Sequence, residues 1–292
     1  MKKSTLLHLR IPFSFFLMPM FCFAVSVSQN VNIANTLLAF FALHLFVYPA
    51  SNGFNSYYDR DEGSIGGLEN PPKVEPELLF FSLLFDVIGL IMALFVSLEF
   101  ALDLLLYGLV SKAYSHSKIR LKKYPVAGLL SVAIFQGGFI FSAVYMAVNE
   151  MLTEAFYVDN QAKLAASLSS FLLLASYPMT QVYQHEEDAK RGDLTLSRIL
   201  GIRGTFIYTA IIFALATAGF AYYFQTYHQF RDMILFQVCL LPVLLFFLYW
   251  FRLVFIDEKN ANFKNTMRLN MLSSVCLNVF FVILFVLKQM NL

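Results

Sequence analysis

Residues 33–63 read IANTLLAFFALHLFVYPASNGFNSYYDRDEG. The first half of this stretch carries no Asp, Glu, Lys or Arg, and Asn52, Asn55, Asp59, Asp61 and Glu62 then crowd into its end. As a helix, an apolar run of about 20 residues matches the ~30 Å hydrocarbon core of a bilayer. Lipid offers no partner to an open strand, so helix is the default. The stretch reads as a membrane helix with a polar tip.

Outward from it, comparable runs recur near residues 11–27, 33–56, 77–97, 100–114, 125–148, 163–183, 203–225, 231–255 and 269–288. The 292 residues are 59% hydrophobic and 14% charged, too little polar surface to cover a soluble globule of this size. The expected fold is an all-α membrane protein, one domain over 1–292, with a bundle of about nine transmembrane helices. The fourth run is short and also reads as a bent continuation of the third, which would make eight. Charge placement favours nine. With the amino terminus inside, every Lys and Arg except Lys163, Arg231 and Lys288 falls on inner segments, the asymmetry that sets orientation. Merging the two runs scrambles it.

Residues 1–29 also have the basic start and apolar middle of a secretory signal. The run is long for one, and the charge alternation works only if this helix stays. Cys22, Cys239 and Cys276 lie inside the runs at no metal-ligand spacing and imply no disulfide framework. The bilayer is the expected partner, and nucleic acid is not.

The polar tip occurs twice. Tyr48-Pro49-Ala50-Ser51-Asn52-Gly53-Phe54-Asn55 aligns without a gap to Tyr177-Pro178-Met179-Thr180-Gln181-Val182-Tyr183-Gln184; Asp59 then meets Asp188 and Gly63 meets Gly192, all at an offset of 129. Each copy spaces two carboxamides and an aspartate by three and four residues, which places them on one helix face. The second and sixth runs stand four apart, so the repeat implies two related four-helix units plus a closing ninth helix. Such repeats commonly place a site between their halves. A solvated helix end accounts for Asp61, Glu62, Glu186 or Glu187 taken singly. The matched set Asn55, Asp59, Gln184 and Asp188 asks for more, because carboxylates facing a bundle interior are costly.

Two facing aspartates suit Mg²⁺, which takes oxygen ligands and is usually held by one or two carboxylates shared with substrate phosphates. The inner loop 112–125 adds Lys112, Lys118, Arg120, Lys122 and Lys123. Its composition fits a polyanion site and fits equally a topology signal or an anionic-lipid patch. Metal beside Arg and Lys stabilises the charge on a departing diphosphate. The 33 Phe and 15 Tyr suit a greasy substrate; Tyr57, Tyr58, Tyr107, Tyr114 and Tyr183 stand near the motifs, where π faces stabilise an allylic cation.

The stretch Asn55-Ser56-Tyr57-Tyr58-Asp59-Arg60-Asp61-Glu62-Gly63 resembles the first aspartate-rich motif of the UbiA superfamily of intramembrane prenyltransferases. Gln184 to Asp188, followed by Ala189-Lys190-Arg191-Gly192-Asp193-Leu194-Thr195-Leu196, resembles the second, and residues 118–125 resemble the basic loop between them. The resemblance implies Mg²⁺-dependent transfer of a prenyl group from an isoprenyl diphosphate to a small, usually aromatic acceptor, as in quinone biosynthesis. It implies catalytic roles for Asp59 and Asp188, and metal binding by Asn55, Asp59 and Asp188 with Asp61 and Glu187. Lys118, Arg120, Lys122 and Gln184 would bind diphosphate, and Tyr58, Tyr114 and Tyr183 would line the prenyl path. The expected setting is a bacterial inner membrane, with the amino terminus and motif loops cytoplasmic.

The chain departs from the family pattern at Ser56, Gly63 and Gln184, where Asp is usual, and residues 65–72 lack a usual arginine. Two other readings stand beside transfer. One is terpene cyclisation, with the cation captured within its own chain; the other is a transporter or lipid-binding protein, which helices broken at both repeats would favour.

Overall fold

The computed structural model describes residues 1–149 and 159–290. Among them the chain is helical, with one isolated bridge between Ile65 and Leu68. In order the helices are α1 (Lys3–Val27), α2 (Ile33–Asp59), α3 (Glu77–Leu94), α4 (Leu98–Ser115), α5 (Pro125–Val148) and α6 (Asn160–Ser176). A short α7 (His185–Arg191) follows, then α8 (Leu196–Tyr227), α9 (Phe230–Ile256) and α10 (Phe263–Gln289). Seven of them, α1, α2, α3, α5, α8, α9 and α10, are long and apolar enough to cross a membrane.

The third and fourth runs are separate helices. Helix α3 stops at Leu94, Ser97 is extended, and its hydroxyl caps α4 by accepting from the Phe100 amide at 3.0 Å. A serine cap satisfies an amide that the helix itself leaves unpaired. Helix α8 starts at Leu196, earlier than the hydropathy run at 203, and its backbone breaks at Gly201, where φ is +68°.

Apolar side chains point both ways, as lipid permits. Phe23 is wholly buried and stacks on Phe281 with ring centroids 4.4 Å apart, tying α1 to α10. Outward, Leu98, Leu102, Leu105 and Leu109 form an exposed stripe on α4, and Ile207, Ile211 and Leu215 form one on α8. In water such stripes would be a liability; against acyl chains they are the ordinary surface. Helix α6 packs closely on α5 and α8. Its Ser170 lies so close to Gly137 of α5 that a Cβ there would come within 2.8 Å of the Ser170 Cα. Small residues of this kind let membrane helices approach closely.

Three irregularities shape one end of the bundle. Helix α1 turns at Arg10, whose φ is +48°. Helix α2 has a π-helical segment, Ala42–Val47, just before Pro49. A wide turn there accommodates a proline that lacks the amide its helix would use. The matching proline, Pro178, is handled differently: α6 ends, a 3-10 turn covers Tyr177–Thr180, and α7 begins only at His185.

Candidate active site

The two aligned motifs meet at this end. In α2 Asn52, Asn55 and Asp59 share one continuous helix, as their spacing predicts. In the second copy the shared helix face is not formed. Gln181 and Gln184 sit in the turn between the 3-10 segment and α7, and Asp188 lies inside α7. The copies are therefore broken once, not twice. Both nonetheless deliver their polar groups to one cavity of about 340 Å³, which Asn55, Asp59, Asp61, Gln184 and Asp188 line together.

Cations cross from other elements to these carboxylates. The Asp59 side chain is 2% exposed. Lys122 donates to its Oδ2, and Arg120 Nη2 lies 3.4 Å from its Oδ1. Arg120 is held by two 2.7 Å hydrogen bonds from Nε and Nη2 to the wholly buried Asp193 carboxylate. Arg191 pairs with Asp61 and reaches Glu187 at 3.6 Å. Asp188 is the exception: among the described residues its carboxylate has neither an ion-pair partner nor a hydrogen bond to its oxygens. Burial pushes the Asp188 carboxyl up to about 7; Asp193, Asp61 and Asp59 add to the rise and Lys122 opposes it. Burial and then Asp59 also raise the carboxyl of Asp61, against the pull of Arg191.

The cavity deepens into apolar ground. Leu172, Phe213, Val243, Phe247 and Leu277 line it, and so do Tyr114 and Tyr177. The two phenols are hydrogen-bonded to each other, and Gln181 donates to the Tyr177 hydroxyl at 3.0 Å. A charged mouth over an apolar interior suits an amphiphile with an anionic head.

Tyr183 and Lys122 also line the cavity. Arg120 and Glu187 stand behind the lining and act on it through Asp59, Asp193 and Arg191. Lys118 is exposed and outside the lining, where its amide caps the His116 ring nitrogen at 3.3 Å. Tyr58 also faces away, its ring packing on Phe54 and His116 at 4.7 and 4.8 Å. Ser56, where the family pattern has Asp, is 3% exposed and turned from the cavity. Lys112 leaves the basic loop to pair with Asp86 of α3 at 2.5 Å.

Sequence reasoning did not single out Arg10, Arg191, Asp193 or Tyr177. Arg10 lines the cavity and donates from Nη1 to the Gly66 carbonyl and from Nη2 to the Asn52 carbonyl, both at 3.1 Å. It thus stands against the segment 65–72 that lacks an arginine of its own. Asp193 and Arg191 carried one signal, adjacency to the second motif.

A model of the UbiA prenyltransferase family matches residues 16–272. The chain belongs to the UbiA prenyltransferase family. Its class is that family's, as the motif resemblance implied. Solved structures of UbiA proteins share the fold at low identity. A UbiA homologue from Archaeoglobus fulgidus bound to GPP and Mg²⁺ superposes with a TM-score of 0.70 at 18% identity, over 97% of this chain and 99% of that one. The apo UbiA homologue from Aeropyrum pernix K1 gives 0.71 at 16% identity, over 94% and 98%. A digeranylgeranylglyceryl phosphate synthase gives 0.60 at 18%, over 97% and 98%. Comparison with curated protein sequences finds no match.

Proposed function

We propose that this UbiA-family chain transfers a prenyl group from an isoprenyl diphosphate to a small, aromatic acceptor, with Mg²⁺ at the mouth of the cavity. The observation that carries the proposal is the convergence of Asp59 and Asp188, one from each motif, on one cavity whose mouth is basic and whose depth is apolar.

The residues present fit the metal. Asp59 Oδ1 is buried without a hydrogen bond and the Asp188 carboxylate is unpaired, which leaves hard oxygen donors from both motifs. Among the described residues no three His, Cys, Asp or Glu form a ready cluster. That suits Mg²⁺, which shares its coordination with water and substrate phosphates and rarely uses an all-protein cage. Bound there, Mg²⁺ supplies Lewis-acid stabilisation of the diphosphate leaving group. Asp59 and Asp188 hold it, with Asn55 and Asp61 beside them and Glu187 behind. Gln184 binds a diphosphate oxygen at the mouth.

The chain's own cations complete the anion site. Lys122 and Arg120 are already at Asp59, and Arg10 enters from α1 to supply charge that residues 65–72 do not. As the carbon–oxygen bond to diphosphate breaks, these groups take up the developing negative charge. Tyr114, Tyr177 and Tyr183 present π faces to the allylic cation, and the apolar depth excludes water. The acceptor's nucleophilic carbon then bonds to the cation and loses a proton.

The same reading places the chain fully in a membrane. On this reading α4, with its outward leucines, and α6, packed on α5 and α8, also span, making nine spanning helices among the described residues, two units of four and a closing α10. On this reading the amino terminus and the motif loops lie on the cytoplasmic side, as the positive-inside distribution favours, and the membrane is a bacterial inner membrane.

Mass spectrometry of products from purified protein, given a panel of isoprenyl diphosphates with and without aromatic acids, tests the proposal. Prenylated acceptor formed only with Mg²⁺ is expected. Terpene hydrocarbon or alcohol without acceptor would make the chain a cyclase, and no consumption of any donor would make it a binding or transport protein.

A further inference from the structure

We infer that Asp193 is a positioning residue that presents Arg120 and Lys122 to the diphosphate; the inference rests on the functional reading above. Asp193 lies just past Gly192, the residue that caps α7, has no exposed surface, and does not line the cavity. Its carboxylate grips Arg120 in a two-point fork at 2.7 Å and lies 3.8 Å from Lys122 Nζ. A bidentate fork fixes the plane of a guanidinium as well as its place. Of the two carboxylates these cations touch, Asp59 lines the cavity and Asp193 does not.

That difference assigns the roles. When Asp59 turns to a metal-bound head group, Lys122 and Arg120 lose its charge but remain beside Asp193. Lys122 then stays in the cavity lining and Arg120 directly behind it, each keeping for phosphate oxygens the N–H groups that Asp193 does not use. Without the Asp193 carboxylate the two cations would lose the one partner that remains to them.

The backbone supports this strap. The Leu194 amide donates to the Lys123 carbonyl at 3.1 Å, and Arg198 donates to the carbonyl of Asp193. Arg120 itself has φ +50°, a left-handed conformation that costs a non-glycine residue about 1 kcal/mol and persists only when held. The second motif therefore reaches across the bundle to aim the basic loop at the first motif.

Binding of pyrophosphate with Mg²⁺ to the purified full chain, read by titration calorimetry, tests this. Asp193→Asn is expected to weaken binding about tenfold or more, the scale of a charged hydrogen bond, and Asp193→Glu to recover most of it. In an Arg120→Ala, Lys122→Ala background, Asp193→Asn is expected to add nothing. Melting temperature in detergent is followed in parallel, since a purely structural role would move it without this pattern. Binding unchanged by Asp193→Asn, or weakened equally in both backgrounds, overturns the inference alone. No binding of magnesium pyrophosphate by the unsubstituted chain overturns the functional reading as well.

Discussion

Arg10 of α1 donates from Nη1 to the Gly66 carbonyl at 3.1 Å, bridging 56 residues of sequence to put a buried cation at the cavity mouth. The guanidinium also holds the Asn52 carbonyl of α2, so one side chain joins α1, the first motif and the segment after it.

Replacing Arg10 with Gln keeps some hydrogen bonding and removes the charge. The expected outcome is a rise in KM for isoprenyl diphosphate of about tenfold or more, the worth of a charged hydrogen bond. Steady-state kinetics on the purified variant measures it. An unchanged KM would remove Arg10 from the anion site.

Ser56 occupies a position where the family pattern has Asp, and restoring that residue is an obvious repair. The structure argues against it, because Ser56 is buried and its hydroxyl has no partner. A carboxylate placed there would lose water and gain no cation, at a cost of a few kcal/mol. Ser56→Asp is expected to lower the melting temperature and leave Mg²⁺ affinity no tighter; thermal scans and calorimetry check the two halves.

Asp86 and Lys112 form an ion pair between α3 and α4, each side chain less than a fifth exposed. Removing one partner strands a charge in a low-dielectric setting. Lys112→Met is expected to destabilise the protein by about 3 kcal/mol, and Asp86→Leu together with Lys112→Met to recover most of the loss. Denaturation in matched detergent reads both, and additive losses would contradict the pairing.

The helical membrane fold was legible because hydrocarbon thickness fixes run length. The break between α3 and α4 was legible through charge, and its local cause is the Ser97 cap. The paired motifs were legible through their common spacing. That spacing misled at Gln181, Gln184 and Asp188: α2 continues through Pro49 after a π-helical segment, whereas α6 ends before Pro178 and gives way to a 3-10 turn. Lys118 looked equivalent to Arg120 and Lys122 in a basic loop, yet it is exposed and outside the cavity lining, while Arg120 and Lys122 reach Asp59 and Asp193. Arg10 and Asp193 were missed for one reason. Their partners are 42 to 73 residues away, and only the fold brings them together.

In the proposed function Asp59 and Asp188 jointly serve a magnesium-bound isoprenyl diphosphate. Pyrophosphate release from geranyl diphosphate and longer donors, with an acceptor panel, tests it in the purified chain. Release that requires Mg²⁺, and that falls about 100-fold or more in both Asp59→Asn and Asp188→Asn, is the predicted result. Full release by either variant, or none by the unsubstituted chain from any donor, would remove the shared site.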